Sequence, residues 1–178
     1  MEIKICGIRR EEDIEIVNKY LPNYIGFIFV KKSKRYVEPL IAKKLVEKLD
    51  KRIKKVGVFV NESFENIEEI KDICMLDVIQ LHGEESVEFC SKVEGEVWKA
   101  LRVKDKKSIE RECEVYYKYI DKILLDTYSS GNHGGTGVAF DWEIARELTS
   151  KYSIVLAGGI NETNVVEAIK KVPAKIID

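Results

Sequence analysis

Short apolar segments recur along the whole of this chain, and their number constrains the fold more than any other feature. Each is rich in β-branched residues and nearly continuous in its hydrophobicity, which is typical of parallel strands covered on both faces. Eight such segments occur, at residues 2–6, 24–30, 55–60, 77–81, 97–103, 122–126, 153–157 and 174–178. The pattern predicts eight parallel strands and therefore a protein of the α/β class.

Amphipathic segments lie between the predicted strands, with apolar residues at helical spacing and charged residues between them. The clearest are residues 38–50, 63–74 and 161–171. Ser63, Asn161 and Asp141 are good N-cap residues for such helices. Pro39 suits a first helical turn. Strands and helices are therefore predicted to alternate along the chain.

Strict alternation allows two architectures, an open doubly wound sheet or a closed barrel. Eight strands at a spacing of about 20 to 30 residues favour a compact (βα)₈ TIM barrel, and the open sheet stays as the alternative. A chain of 178 residues is long enough for one substantial core and too short for two ordinary domains, so we expect a single domain over residues 1–178. Neither a GxGxxG motif after the first strand nor a P-loop motif is present, which disfavours a nucleotide site.

Charge and composition disfavour several classes of partner. Lys and Arg number 30 against 31 acidic residues, so the net charge of -1 provides no field that would attract nucleic acid or an anionic membrane. No signal peptide is apparent and no segment reaches the roughly 20 apolar residues of a membrane span, so we expect a soluble, cytoplasmic protein. The 34% charged residues and the single glutamine, Gln80, are typical of thermophile proteins.

The four cysteines give no sign of a metal site or a disulfide framework. They are Cys6, Cys74, Cys90 and Cys113, and they form no CxxC pair and no zinc-like spacing with histidine. In a cytosolic chain this pattern favours reduced thiols. Because the chain has only two histidines and neither belongs to a metal-binding motif, we predict no metal.

In a barrel of this kind the active site lies at the carboxyl ends of the strands. In this chain the predicted strand ends carry Cys6, Gly7, residues 31–35, Asn61, Gln80, His82, Arg102, Asp126, Gly158 and Gly159. Cys6 is either a core thiol or, where a nearby cation stabilises its thiolate, a base. Asp126 either forms a local Asx-turn or, in a partly apolar cavity, keeps a proton and acts as a general acid.

Two further features bear on the recognition of anionic groups. The stretch KKSKR at residues 31–35 is most often a solvated basic loop, but Arg35 within it can bind a carboxylate through two hydrogen bonds. Gly158 and Gly159 form either an ordinary turn or, with a helix beginning at Asn161, a backbone site for a phosphate.

Seven motifs along the chain resemble a known family. They are KICGI at residues 4–8, GFIFVKKSKRYV at 26–37, VGVFVN at 56–61, IQLHGEE at 79–85, LLDT at 124–127, GGTGVAFDW at 134–142 and LAGGIN at 156–161. In order and spacing they resemble phosphoribosylanthranilate isomerase, from residue 3 to the last residue. The resemblance implies a barrel enzyme that catalyses the Amadori rearrangement of N-(5-phosphoribosyl)anthranilate to 1-(2-carboxyphenylamino)-1-deoxyribulose 5-phosphate in tryptophan biosynthesis.

The resemblance also implies the residues that carry out this chemistry. Asp126 corresponds to the family's general acid, which protonates the ring oxygen of the ribosylamine and opens the sugar. Cys6 corresponds to the general base, which then removes the proton from sugar C2. Arg35 corresponds to the residue that binds the anthranilate carboxylate.

The remaining correspondences concern the substrate pocket. Gln80 and His82 match positions that line this pocket, and Gly158 with Gly159 match backbone donors to the phosphate. The implied partner is therefore a phosphorylated small molecule. No metal and no organic cofactor is required for the reaction.

The end of the chain departs from the family pattern. Family members usually continue after the eighth strand with a Ser/Gly phosphate-binding loop and a final helix, whereas this chain stops at Asp178. We therefore expect the outer faces of the eighth and first strands to be exposed, or covered by a partner subunit in a homo-oligomer. Two other functions stay open at this point: a noncatalytic barrel that binds a phosphorylated ligand, and a related sugar-phosphate isomerase of histidine biosynthesis.

Overall fold

The computed structural model describes residues 1–127 and 141–178. In these residues eight parallel strands alternate with seven helices, and the strands form a closed barrel in the order β1 to β8. The predicted (βα)₈ barrel is confirmed, and the open sheet is wrong because an open sheet would end in two unpaired edge strands.

The strand bounds agree with the predicted segments to within two residues at each end. The strands are β1 (Glu2–Cys6), β2 (Tyr24–Ile28), β3 (Lys54–Phe59), β4 (Val78–Leu81), β5 (Glu96–Val103), β6 (Lys122–Thr127), β7 (Ile154–Leu156) and β8 (Ile176–Ile177). The helices are α1 (Glu11–Tyr20), α2 (Pro39–Glu47), α3 (Phe64–Cys74), α4 (Val87–Lys92), α5 (Lys106–Tyr116), α6 (Trp142–Leu148) and α7 (Val165–Lys171). None of these helices is long and apolar enough to cross a membrane.

The chain forms two compact units, residues 2–97 and residues 98–178 with Met1. In the first unit, β1, β2, β3 and β4 pair in parallel. All five residues of β2 are buried, and the rings of Phe29 and Phe59 stack with centroids 5.4 Å apart. Continuous burial explains why these segments lack the polar alternation of strands that face solvent on one side. The single domain over residues 1–178 stays a prediction.

Two helix starts predicted in the first unit are confirmed. The Ser63 side chain accepts a hydrogen bond from the Asn66 backbone N–H and caps α3, and Pro39 occupies the first turn of α2. Helix α3 then buries Ile67, Ile70 and Cys74, which lie on one face at helical spacing.

In the second unit, the apolar core lies between strands β5 to β8 and helices α5 to α7. It includes Leu101, Ile109, Cys113, Ile123, Leu125, Ala145, Leu148 and Ile177, all buried. Asp141 caps α6, as predicted, by accepting a hydrogen bond from the Glu143 backbone N–H.

The helix predicted to begin at Asn161 begins instead at Val165, with Asn164 at its N-cap. Asn161 belongs to the preceding turn, because its Oδ1 accepts hydrogen bonds from the backbone N–H and the hydroxyl of Thr163. Its own backbone N–H donates to Asn164 Oδ1. Asparagine favours both such side-chain to backbone turns and N-caps, so the residue type alone did not distinguish the two.

The outward side of β1 carries exposed apolar residues. Ile3 and Ile5 are 47% and 45% exposed, whereas both residues of β8, Ile176 and Ile177, are buried. The expectation of an uncovered outer face therefore holds for β1 and not for β8. Cover by a partner subunit stays a prediction.

This difference in exposure predicts unequal effects of two isoleucine truncations. Ile3→Ala should lower the free energy of unfolding by less than about 1 kcal/mol, since it removes an exposed side chain from a strand. Ile123→Ala should lower it by about 2 to 5 kcal/mol, because it leaves a cavity in the core. Urea titrations of the two variants would measure this, and equal losses would show that Ile3 is covered in solution.

Candidate active site

Cys6 is the last residue of β1 and is half-buried at the carboxyl end of the strand. It is the register partner of Gly26 on β2. The backbone N–H groups of Gly7 and Ile8 both donate to the Gly26 carbonyl, at 2.8 and 3.0 Å. The turn that follows Cys6 is therefore tied to the neighbouring strand, which holds the thiol in a defined place.

Lys4 lies two residues before Cys6 on the same face of β1 and is only 1% exposed. A Cβ atom on Gly26 would lie 2.8 Å from Cys6 Sγ and 3.3 Å from Lys4 Nζ. The thiol and the ammonium thus both occupy the space above Gly26, and the sum of these distances limits their separation to about 6 Å. Lys4 was not among the residues predicted from the sequence, although the two-residue period of a strand places it on the same face as Cys6.

Arg35 lies in the loop after β2, as predicted, and it contacts Cys6, which the sequence did not predict. Its Nη1 donates a hydrogen bond of 3.0 Å to the Cys6 carbonyl, and its Cδ packs over Gly7. The loop is held by local contacts, since Ser33 Oγ accepts from the Arg35 backbone N–H and Arg9 donates to the Lys34 carbonyl. The bond to Cys6 uses one of the five N–H donors of the exposed guanidinium group, which leaves capacity for a carboxylate.

Gln80 and His82 form a pair on and beside β4. Gln80 lies within the strand rather than after it, and it is 1% exposed. Its Nε2 is 2.9 Å from His82 Nδ1, and with the amide as donor the neutral imidazole carries its proton on Nε2. Gln80 Oε1 is buried and has no hydrogen-bond partner among the residues that the structure describes.

The buried carboxylate of Glu85 joins the loop after β4, which carries His82, to the loop after β3. Glu85 is 5% exposed, and its carboxylate accepts hydrogen bonds from the backbone N–H groups of Asn61 and Gly83, at 2.8 and 3.0 Å. In return, Asn61 Oδ1 accepts from the Glu84 backbone N–H at 2.6 Å. Glu85 was not among the predicted site residues, because an acidic residue in a loop is usually solvated.

Asp126 lies near the carboxyl end of β6 and is 5% exposed. Its Oδ1 accepts a 2.7 Å hydrogen bond from the Thr127 backbone N–H, so the local bonding expected of an Asp at a strand end is present. Arg102 on β5 is its register partner. Asp126 is therefore a buried carboxyl group with a cationic residue on the adjacent strand.

Gly158 and Gly159 form the turn after β7 with left-handed φ values of 77° and 73°. A Cβ atom on Gly158 would lie 2.7 Å from Asp126 Oδ1 and 2.6 Å from Thr127 Oγ1. The turn therefore packs directly against the carboxyl group. The predicted phosphate site combined this turn with the N-terminus of a helix beginning at Asn161. The predicted helix start is wrong, because α7 begins only at Val165.

Reduced thiols and the absence of a metal were also predicted from the sequence, and both stay predictions. None of the four cysteines forms a disulfide, and all except Cys6 are buried. Burial raises the pKa of Cys74 to about 11 and that of Cys113 to about 12. No cluster of three or more metal-binding side chains occurs in residues 1–127 and 141–178. Residues 134–140, which carry most of the GGTGVAFDW motif, lie outside the described residues.

Fold and site together define a class: a (βα)₈-barrel enzyme with a thiol, a guanidinium group and a buried carboxyl group near the carboxyl ends of its strands. The family model for N-(5'-phosphoribosyl)anthranilate (PRA) isomerase matches residues 3–178. The chain belongs to this family.

Individual relatives agree with the family match. The N-(5'-phosphoribosyl)anthranilate isomerase of Clostridium acetobutylicum is 49% identical over 174 residues, which cover 96% of this chain and 82% of the relative. The same enzyme of Thermoanaerobacter sp. strain X514 is 44% identical over 179 residues, covering 100% of this chain and 86% of the relative.

Two solved structures of the isomerase match the whole of this chain and 86% of their own. The enzyme from Thermotoga maritima has 35% identity and a TM-score of 0.91. A complex of the isomerase with reduced 1-(o-carboxyphenylamino)-1-deoxyribulose 5-phosphate has 35% identity and a TM-score of 0.87. That protein holds a phosphorylated ligand that also carries a carboxylate.

The close approach of Asp126 to Gly158 predicts that a Cβ atom at position 158 destabilises the protein by steric overlap. A second left-handed glycine, Gly95, serves as the control for backbone strain. Gly158→Ala and Gly95→Ala both place a Cβ on left-handed backbone, but around Gly95 the nearest atoms, on Lys71, are 4.0 Å away. We expect Gly158→Ala to lose about 1 to 3 kcal/mol more unfolding free energy, because its Cβ overpacks the turn. Equal losses in urea titrations would show that the turn relaxes away from Asp126 without penalty.

Proposed function

We propose that this chain catalyses the isomerisation of N-(5'-phosphoribosyl)anthranilate to 1-(2-carboxyphenylamino)-1-deoxyribulose 5-phosphate, a step of tryptophan biosynthesis. The observation that carries the proposal is a thiol at the end of β1 and a buried carboxyl group near the end of β6, in a chain that belongs to this family. The four cysteines without disulfides support a reducing compartment, and we assign the reaction to the cytoplasm.

The first chemical step in the proposal opens the sugar ring. Asp126 donates a proton to the ring oxygen of the ribosylamine while the bond between that oxygen and C1 breaks. The lone pair of the anthranilate nitrogen forms a C=N bond, which gives an iminium ion. Low exposure suits Asp126 to this role, because its carboxyl group can transfer a proton to the bound substrate with little access of bulk water.

The second step removes the proton from C2 of the opened sugar. The Cys6 thiolate takes this proton, the C–H electrons form a C1=C2 bond, and the electrons of the C=N bond return to nitrogen. The resulting enolamine then tautomerises to the ketone product. Because nitrogen serves as the electron sink, the two proton-transfer groups account for the reaction.

Binding of the substrate is assigned to residues around these two groups. Arg35, beside Cys6, is proposed to bind the anthranilate carboxylate, since the guanidinium group pairs with it through two parallel hydrogen bonds. His82 Nε2–H and Gln80 Oε1 are proposed to contact the sugar, which would satisfy the buried amide oxygen. The turn at Gly158 and Gly159 is proposed to face the phosphate.

A fluorescence assay tests the activity itself. Purified chain added to phosphoribosylanthranilate should accelerate the loss of its fluorescence above the spontaneous rate in buffer. Tight binding of the reduced product analogue without turnover would instead support the noncatalytic barrel. Turnover of the aldose-ketose isomerase substrate of histidine biosynthesis, and not of phosphoribosylanthranilate, would support the remaining alternative.

The proton-transfer roles predict the effects of two substitutions. Cys6→Ala and Asp126→Asn should each lower kcat by about 10² to 10⁴-fold, since each removes one general acid or base. The circular dichroism spectrum should be unchanged. Cys90→Ala, which removes a buried thiol, should keep normal turnover and serves as the control. Near-normal kcat in either site variant would remove that residue from the mechanism.

The carboxylate role of Arg35 predicts that charge alone cannot replace it. Arg35→Lys should raise KM for phosphoribosylanthranilate, because an ammonium group cannot reproduce the planar contact with two hydrogen bonds. The exposed Lys34 on the same loop offers a matched control, and Lys34→Arg should leave KM unchanged. Steady-state kinetics of both variants would measure this. An unchanged KM and kcat in Arg35→Lys would contradict the assignment.

A further inference from the structure

We propose that Lys4 is a positioning residue for Cys6, whose ammonium group holds the neighbouring side chain in its thiolate form at the end of β1. The inference deepens the base role of Cys6 and rests on the proposed function, but it is tested without substrate. Lys4 has no other assigned part in the reaction. Its burial on the same face of β1 as Cys6 is the basis of this proposal.

Complete burial sets Lys4 apart from almost all the other lysines. It is 1% exposed, although lysine is among the residues least often found fully buried unless its charge is paired. In β1 the residues on the opposite face, Ile3 and Ile5, are exposed, so Lys4 and Cys6 share the inward face of the strand. Glu2 lies on the same face, and its Oε2 accepts a hydrogen bond of 3.4 Å from the hydroxyl of Tyr24, the register partner of Lys4.

The neighbouring strand leaves room for this arrangement. Gly26 is the register partner of Cys6, and its missing Cβ is the space that Cys6 Sγ and Lys4 Nζ approach to 2.8 and 3.3 Å. Any larger residue at this position would push the two groups away from each other or from β2. A glycine in the middle of a buried strand weakens the sheet, and close approach of other groups is a common reason for it.

Arg35 and Lys4 both approach Cys6, and they do so at different atoms. Arg35 donates its hydrogen bond to the Cys6 carbonyl oxygen, and its loop fixes it there. Lys4 approaches on the side of the sulfur. Strand β2 presents only Gly26 at this level, so it adds no charge of its own. Of these two cations, Lys4 is the one close to the sulfur atom.

The physical consequence concerns the fraction of Cys6 that can act as a base. An ordinary thiol has a pKa of about 8.5, so most of it is protonated at neutral pH. A positive charge within about 4 to 6 Å of an acidic group favours its ionised form and lowers its pKa by about one unit or more. A cation at this distance turns the thiolate from a minor into a substantial form at neutral pH, and the thiolate is the form that accepts the C2 proton.

The ionisation of Cys6 can be measured directly, because the other three thiols are buried. The raised pKa values of Cys74 and Cys113 make them poor nucleophiles over the range of the measurement. Iodoacetamide reacts with thiolates and not with thiols, so the rate of alkylation follows ionisation. The fast reaction is assigned to Cys6 by its loss in Cys6→Ala.

The experiment is the pH profile of this alkylation in the substrate-free protein. Wild type should show a midpoint below about 8.5, and Lys4→Met should move it up by about 1 unit or more, which is about a tenfold slower reaction at pH 7. Lys4→Arg should restore most of the shift, since its guanidinium group stays charged. Lys99→Met is the matched control, because Lys99 is likewise buried, at 2% exposure, but lies over the Tyr116 ring.

Three results would overturn the inference. A wild-type midpoint at or above about 8.5 would do so without any variant. An unchanged midpoint in folded Lys4→Met would show that the lysine is structural. An equal shift in Lys99→Met would show that loss of any buried lysine has this effect. A protein that lacks isomerase activity but shows the predicted alkylation shifts would separate failure of the proposed function from failure of this inference.

Discussion

Parallel strand register is the constraint on which the rest of the structure depends. It makes Cys6 the partner of Gly26, and it makes Asp126 the partner of Arg102. Because side chains alternate between the two faces of a strand, a shift of one residue would turn each of these groups to the other side. The buried outer faces of β5 and β6 prevent such a shift, since their apolar residues must contact the helices.

Both units use the absence of a side chain to bring a reactive group close to the backbone. Gly26 leaves space for the thiol and ammonium of β1, and Gly158 leaves space for the carboxyl group of Asp126. Functional side chains in a packed interior need such space, because cores leave few voids. Gly26 weakens its strand, and that loss is the consequence of placing polar groups where an apolar side chain would otherwise pack.

Much of the fold could be predicted because its signals are local. The eight strands follow from runs of β-branched residues, and the caps at Ser63 and Asp141 follow from residue type and position. The helix start predicted at Asn161 is wrong, since asparagine stabilises turns as well as helix starts. The role of Glu85 could not be predicted from the sequence, because its partners are backbone N–H groups of two separate loops, which no local pattern reveals.

The sequence by itself determined the number and order of strands and the chemical groups at their ends. These properties depend on residue type and period, which are read along one segment at a time. Only the tertiary structure decided that Lys4 is buried beside Cys6, that Arg35 bonds to the Cys6 carbonyl, and that Gly158 packs on Asp126. Those contacts join residues on different strands or depend on which face is enclosed, and both are set by strand pairing and burial rather than by neighbours in the chain.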